Sequence, residues 1–268
     1  MHLLHIAVLA LIQGITEFLP ISSSGHLVMV PPLTGWPDQG LIIDVAVHIG
    51  TLGAVVVYFW RDLWAMVAGI LRALTGRKDP AARLAVQIVL ATLPVIAAGY
   101  ALNHFMPQGI RSLTVVAWAT LGFGIVLLIT DKLGMTIRRI EHLGFGDTFV
   151  IGMAQILALI PGTSRSGITM SAARILGFER ADAARFSMLL SIPAILGAGT
   201  LKGLELHQSG SAELTSAAIL AAALAFITAL VAITLLMAWL RRSTFTPFVI
   251  YRVILGGILL GFAYGGGL

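Results

Sequence analysis

Residues 13–27 read QGITEFLPISSSGHL. They overlap the end of IAVLALIQGI (6–15), a run apolar enough to enter a lipid bilayer. Within positions 17–26 the chain then places a carboxylate, a proline, three hydroxyls, a glycine and an imidazole. Hydrocarbon does not solvate such groups, so a polar break at membrane depth is kept only inside protein or against a water-filled cavity. Gln13 and Glu17 are four apart and share a helix face. Pro20 ends or kinks that helix. Ser22 or Ser23 then caps a new helix whose first backbone N–H groups are free. Ser23 and His26, three apart, share a face of its first turn. Hydroxyl, imidazole and carboxylate together are the parts of an activated nucleophile. The plainer alternative is a small-residue packing motif with a hydrogen-bonded histidine. Glu17 favours function, since an intramembrane acid is costly without a task.

The rest of the 268-residue chain supplies the bilayer that this reading needs. It is 58% hydrophobic and 11% charged, with a mean hydropathy of +0.96. Soluble domains carry about a quarter charged residues, so the chain reads as one integral membrane domain over 1–268. Spans of about 20 apolar residues fall at 41–60, 83–101, 113–131, 183–201, 215–240 and 246–265. Two further apolar regions, 3–35 and 148–178, are interrupted by Pro, Gly, Ser and charge, and suit re-entrant hairpins. The predicted fold is therefore an all-α polytopic membrane protein with six transmembrane helices and two re-entrant helical hairpins. Residues 61–82 are amphipathic and suit the inner surface.

The net charge is +5, but the basic residues sit in alternate loops, so nucleic acid is not the expected partner. Arg61, Arg72, Arg77, Lys78 and Arg83 follow the first span, Lys132, Arg138 and Arg139 the third, Arg241 and Arg242 the fifth. These loops should face the cytoplasm. Loops 102–112 and 202–214, with Arg111 alone and Lys202, Glu205 and Glu213, should face outward with both termini. There is no cysteine, hence no disulfide and no thiolate chemistry. The N-terminus lacks the pattern of a removable signal peptide.

The second interruption reads PGTSRSGIT (161–169). Pro161 and Gly162 stop one helix, and Thr163 or Ser164 caps the next. Free N–H groups at a helix start form an anion site. Arg165 adds a forked guanidinium suited to phosphate. Ser166 and Thr169 add donors, and Gly167 permits close approach. Arg165 can also pair with Glu17 and hold the two breaks together.

A shift of 142 residues superposes the breaks: Gln13 on Gln155, and Ser22, Ser24 and Gly25 on Ser164, Ser166 and Gly167. Three spans follow each break, so the halves, about 1–131 and 147–265, should be inverted repeats with the site where the breaks meet. Asp44 and His48, four apart, share a face of the first full span. They either line the cavity or pair with each other. No P-loop and no zinc motif is present.

QGITEFLPISSSGHL and PGTSRSGIT, with FSMLLSIPAILGA (186–198) and FTPFVIYR (245–252), resemble the signatures of bacterial undecaprenyl-diphosphate phosphatase of the bacitracin-resistance type. The resemblance covers essentially the whole chain. It implies hydrolysis of undecaprenyl diphosphate to the monophosphate carrier lipid of peptidoglycan synthesis. It also implies a site on the outer side of the cytoplasmic membrane and stimulation by a divalent cation, magnesium or calcium. The family's catalytic pattern maps to Glu17, Ser23, His26 and Arg165. Substrate contacts are expected from the residues of the two breaks: Gln13, Ser22, Ser24, Gly25, Gly162, Thr163, Ser164, Ser166, Gly167 and Thr169, of which the resemblance maps Gln13, Ser164, Ser166, Gly167 and Thr169. Gln13 stands where many members have Glu. That departure shifts the metal burden to Glu17, with the cation held mainly through the diphosphate. The expected partners are a polyprenyl diphosphate and the bilayer, with a homodimer allowed. Ser23 and His26 both remain candidates for the nucleophile. A transporter for a polyprenyl phosphate or an anion is the competing class, because inverted repeats and broken helices are also transporter devices.

Overall fold

The structure is a computed structural model that describes residues 3–105, 112–208 and 216–265. Arg111 and Glu213 lie outside these residues, as do 106–111 and 209–214 of the two loops expected to face outward. The described residues form eleven α-helices. Six are long and apolar enough to cross a membrane: Gly40–Tyr58 (α3), Pro80–Phe105 (α5), Leu113–Leu133 (α6), Arg180–Gln208 (α9), Ser216–Leu240 (α10) and Thr246–Gly265 (α11). Their exposed faces carry Val, Ile, Leu and Phe, as a lipid-facing bundle requires.

Two helix ends differ from the sequence reading for local reasons. α5 starts at Pro80 rather than 83, because Asp79 caps it: its Oδ1 accepts from Ala81 N at 2.8 Å. Proline suits the first helical position, where its missing N–H has no partner to lose. α9 runs on through Gln208. Residues 60–74 form their own amphipathic helix, Trp60–Leu74 (α4), with Trp64, Leu71 and Leu74 exposed.

The interrupted regions become pairs of short helices. Leu3–Thr16 (α1) and Ser23–Thr34 (α2) flank the first break. Phe145–Gln155 (α7), extended by a 3-10 turn over Ile156–Leu159, and Arg165–Ile175 (α8) flank the second.

Packing comes in matched sets. α1 lies on α10 as α7 lies on α5, and α3 lies on α10 as α9 lies on α5. α3 meets α9, and α6 meets α11. Small residues allow the closest approaches, the usual device where lipid supplies no hydrophobic drive. A Cβ on Gly50 of α3 would stand 2.2 Å from the Ala222 carbonyl oxygen of α10.

The end of the bundle that carries the basic loops is tied by ions. Asp131, buried at the end of α6, accepts from Arg174 at 3.2 Å and from Arg180 at 2.6 Å. Arg138 pairs with Asp147 at 2.6 Å, and Arg185 pairs with Asp62.

Gly162 is the tightest point of the second break. Its φ is +95°, and an added Cβ would meet the Val116 carbonyl oxygen at 2.4 Å. Gly162→Ala therefore combines backbone strain with overpacking and is expected to cost roughly 3 kcal/mol. The check is the thermal midpoint in detergent, which should fall by several degrees.

Candidate active site

The two breaks are built alike. Ser22 caps α2 at φ 75°, ψ 94°, and Ser164 caps α8 at φ 71°, ψ 113°. These are the only non-glycine residues with positive φ among those described. Each costs about 1–3 kcal/mol and persists only where its surroundings enforce it. Each hydroxyl accepts from the glycine three residues on: Gly25 N at 3.3 Å, and Gly167 N at 3.1 Å. Each also meets the serine two residues on, Ser24 at 3.4 Å and Ser166 at 3.1 Å. Of the caps that the sequence left open, Ser22 and Ser164 are the ones used.

Two hydrogen bonds cross directly between the breaks. Arg165 donates to Glu17 Oε1 at 3.3 Å, and also to the Ser187 carbonyl at 3.1 Å. Ser166 donates to the Leu19 carbonyl at 2.8 Å. Gly162 and Pro20 are joined through a third residue, Arg252 of α11. Its guanidinium donates to the Pro20 carbonyl at 3.1 Å and the Gly162 carbonyl at 2.9 Å. It also reaches the Thr120 and Ala119 carbonyls of α6. Arg252 is fully buried and meets carbonyls alone among the described residues.

Glu17 is the hub of the first break. Its Oε2 accepts from Ser23 Oγ at 2.7 Å and from Gln13 Nε2 at 3.0 Å. A hydroxyl 2.7 Å from a carboxylate has the geometry in which a base can accept a nucleophile's proton. The guanidinium of Arg165, on the other oxygen, can turn toward an arriving anion.

These groups open onto a cavity of about 360 Å³. Glu17, Ser22, Ser23, Ser24, Ser164 and Arg165 form its polar side. Val95 and Ile96 of α5 and Ala194 and Ile195 of α9 form an apolar side. Each apolar pair follows a helix-internal proline, Pro94 or Pro193, which removes one ladder bond and loosens the helix there. A larger cavity, about 920 Å³, lies among α4, the start of α5 and residues 140–145; no residue of the two motifs lines it.

The family described as bacitracin resistance protein BacA matches residues 6–258. The chain belongs to the BacA family. It is 56% identical, over 99% of its length and 97% of the other, to a Rhodospirillum rubrum protein named undecaprenyl-diphosphatase 1. A Ruegeria pomeroyi protein named undecaprenyl-diphosphatase is 52% identical over 98% of this chain and all of its own. One from Hahella chejuensis with the same name is 47% identical over 97% and 98%.

Not every residue expected in contact with substrate reaches the cavity of this BacA chain. Gln13, Gly25, Gly162, Thr163, Ser166, Gly167 and Thr169 are not among its lining residues. Thr169 Oγ1 holds Ser187 Oγ at 2.7 Å, behind Arg165. Thr163 Oγ1 and Gln13 Oε1 are buried without a hydrogen-bond partner.

His26 is also outside the lining, and it makes no hydrogen bond to Ser23. Its Nδ1 lies 2.6 Å from the Ser22 carbonyl, and its Nε2 meets the Tyr251 hydroxyl. The two rings stack with centroids 5.6 Å apart. Helical spacing put Ser23 and His26 on one face, but α11 supplied His26 with a closer partner. The imidazole that does line the cavity is His48, with Asp44 one turn before it. Asp44 takes Gln39 Nε2 at 3.0 Å, and the His48 ring bonds the Asp44 backbone rather than its carboxylate.

No group of three His, Cys, Asp or Glu side chains converges among the described residues. Both Glu17 oxygens already have protein donors. The residues therefore do not form a metal cage of their own.

Proposed function

We propose that this chain is an integral membrane undecaprenyl-diphosphatase. It hydrolyses undecaprenyl diphosphate to undecaprenyl phosphate and inorganic phosphate, recycling the carrier lipid of cell-wall synthesis. The activity would confer the bacitracin resistance for which the family is described. The observation that carries the reading is the Ser23–Glu17 hydrogen bond in one cavity with Arg165. Transport alone has no use for a hydroxyl held on a carboxylate.

Arg165 and the start of α8 bind the diphosphate and offset the charge spread over the transferred phosphoryl group. Glu17 takes the Ser23 proton as Ser23 Oγ attacks the terminal phosphorus. The polyprenyl monophosphate leaves and a phosphoserine remains. Water then frees the phosphate. His26 acts as a positioning residue, since both ring nitrogens are engaged with Ser22 and Tyr251. The headgroup fills the cavity, and the long tail leaves across the apolar side made by α5 and α9. A divalent cation would come in on the diphosphate, beside Glu17 and Asp44, and no step here runs through it.

The membrane is the bacterial cytoplasmic one, and the site opens to its outer side. The support is positional. The basic loops follow the C-terminal end of α3 and precede α5 and α9, whereas the cavity uses the opposite ends, near Asp44, Tyr100 and Gly199. Basic loops stay in the cytoplasm. The two capped breaks and matched packing favour inverted repeats with re-entrant hairpins.

Phosphate release from undecaprenyl and farnesyl diphosphates by the detergent-purified protein tests the reading. Trapping should place the phosphoryl group on Ser23, and Ser23→Ala should abolish both label and release. A label on His26 would reverse the roles. Absence of release with either substrate would overturn the phosphatase and favour transport.

A further inference from the structure

We propose that His48 is the general base of the second half-reaction, taking the proton from the water that releases phosphate from Ser23. This rests on the phosphatase reading above. The first half-reaction leaves Glu17 holding the Ser23 proton, so Glu17 is no longer a base when water arrives. Another proton acceptor must face the same space.

Two imidazoles stand near the first break, and they differ in what they have left to offer. A backbone carbonyl can only accept, so the Nδ1 of each ring carries the proton. His26 Nδ1 donates to the Ser22 carbonyl, and its Nε2 lone pair receives the Tyr251 hydroxyl. Nothing remains for water. His48 Nδ1 donates to the Asp44 carbonyl at 2.7 Å. Its Nε2 has no hydrogen-bond partner among the described residues, and the residue lines the cavity with Glu17, Ser23 and Arg165. The bond to its own helix fixes both the tautomer and the ring, leaving the Nε2 lone pair of a cavity-lining residue free of the bonds that engage His26. That is the arrangement a general base needs. α3 cannot slide to remove it, because Ala46, Val47 and Gly50 are buried around it, and Gly50 lies against α10.

The step balances. Water oxygen bonds to phosphorus and the Ser23 Oγ–phosphorus bond breaks. One water proton passes to His48 Nε2, and Glu17 returns its proton to Ser23 Oγ. His48 then releases the proton to solvent, and one water is consumed per phosphate.

The test uses the full chain in detergent with farnesyl diphosphate radiolabelled at the terminal phosphorus. His48→Gln is expected to give a burst of farnesyl phosphate equal to the enzyme present. Label should accumulate on Ser23, and steady turnover should fall about 10²–10³-fold. His48→Ala should behave alike and regain part of its rate with added imidazole. The burst itself reports that the variant is folded and binds substrate. Steady turnover within about threefold of the unsubstituted protein would overturn the assignment, and so would loss of turnover without burst or label. If the unsubstituted protein releases no phosphate, the phosphatase reading itself fails, and that outcome differs from both.

Discussion

Replacing Arg165 with Ala is expected to lower phosphate release by about 10³-fold, the scale of removing a preorganised charge at a developing anion. Arg165→Lys keeps the charge and loses the fork, and should still fall by about 10²-fold. Removing Arg165 has a second effect, because Glu17 is buried and would lose its ionic partner. A stranded buried charge destabilises strongly, so lost activity alone could reflect lost structure. The double variant separates the two. Arg165→Ala with Glu17→Gln should regain the thermal midpoint that the single variant loses, and stay inactive. Binding of a non-hydrolysable diphosphonate completes the argument. Glu17→Gln alone should retain it, and either variant lacking Arg165 should not. If the double variant binds the diphosphonate normally, Arg165 is only a structural partner of Glu17.

The second large effect is expected at Arg252. Arg252→Met keeps the length and removes the donor to the Pro20 carbonyl and the closer of two donors to the Gly162 carbonyl, leaving the latter only Thr120 Oγ1 at 3.5 Å. Those two acceptors sit at broken helix ends and cannot turn back into a ladder. An unmet buried acceptor costs about 1–3 kcal/mol, so the pair should cost roughly 3 kcal/mol. For a domain of this size that is on the order of 6–12 °C in thermal midpoint. Intrinsic tryptophan fluorescence suits the measurement, since five tryptophans are present and no cysteine for a thiol dye. Arg252→Lys should recover little, because one ammonium cannot span four carbonyls set by a planar fork. A midpoint unchanged in Arg252→Met would mean that the breaks hold without the clamp.

The spans were legible because a bilayer demands long apolar runs, and composition carries that demand directly. The breaks were legible because Pro20, Pro161 and Gly162 bring polar groups into those runs. The Glu17–Arg165 pair could be anticipated as one option, since two opposite charges at membrane depth have few other partners. Spacing along one helix was a weaker guide. It put His26 beside Ser23, and it could not foresee Tyr251, 225 residues away. It named Asp44 and His48 as sharing a face without deciding what the face meets. That depends on α3 packing between α10 and α9, which no local pattern encodes. Arg252 was harder still. Within an apolar helix it reads as one more basic residue near a span end, and only the folded chain brings it to Pro20 and Gly162. Which serine caps each helix was likewise a matter of backbone geometry, because Ser22 and Ser164 adopt a φ that serine seldom takes.

Arg252 also orders the making of the enzyme. α11 is synthesised after every other described helix, and it brings the guanidinium that joins both breaks. A nascent chain stopped after α10 already contains Glu17, Ser23, His48 and Arg165, but it lacks the guanidinium shared by the carbonyls of Pro20 and Gly162. The shared clamp between the breaks therefore arrives only with the final span.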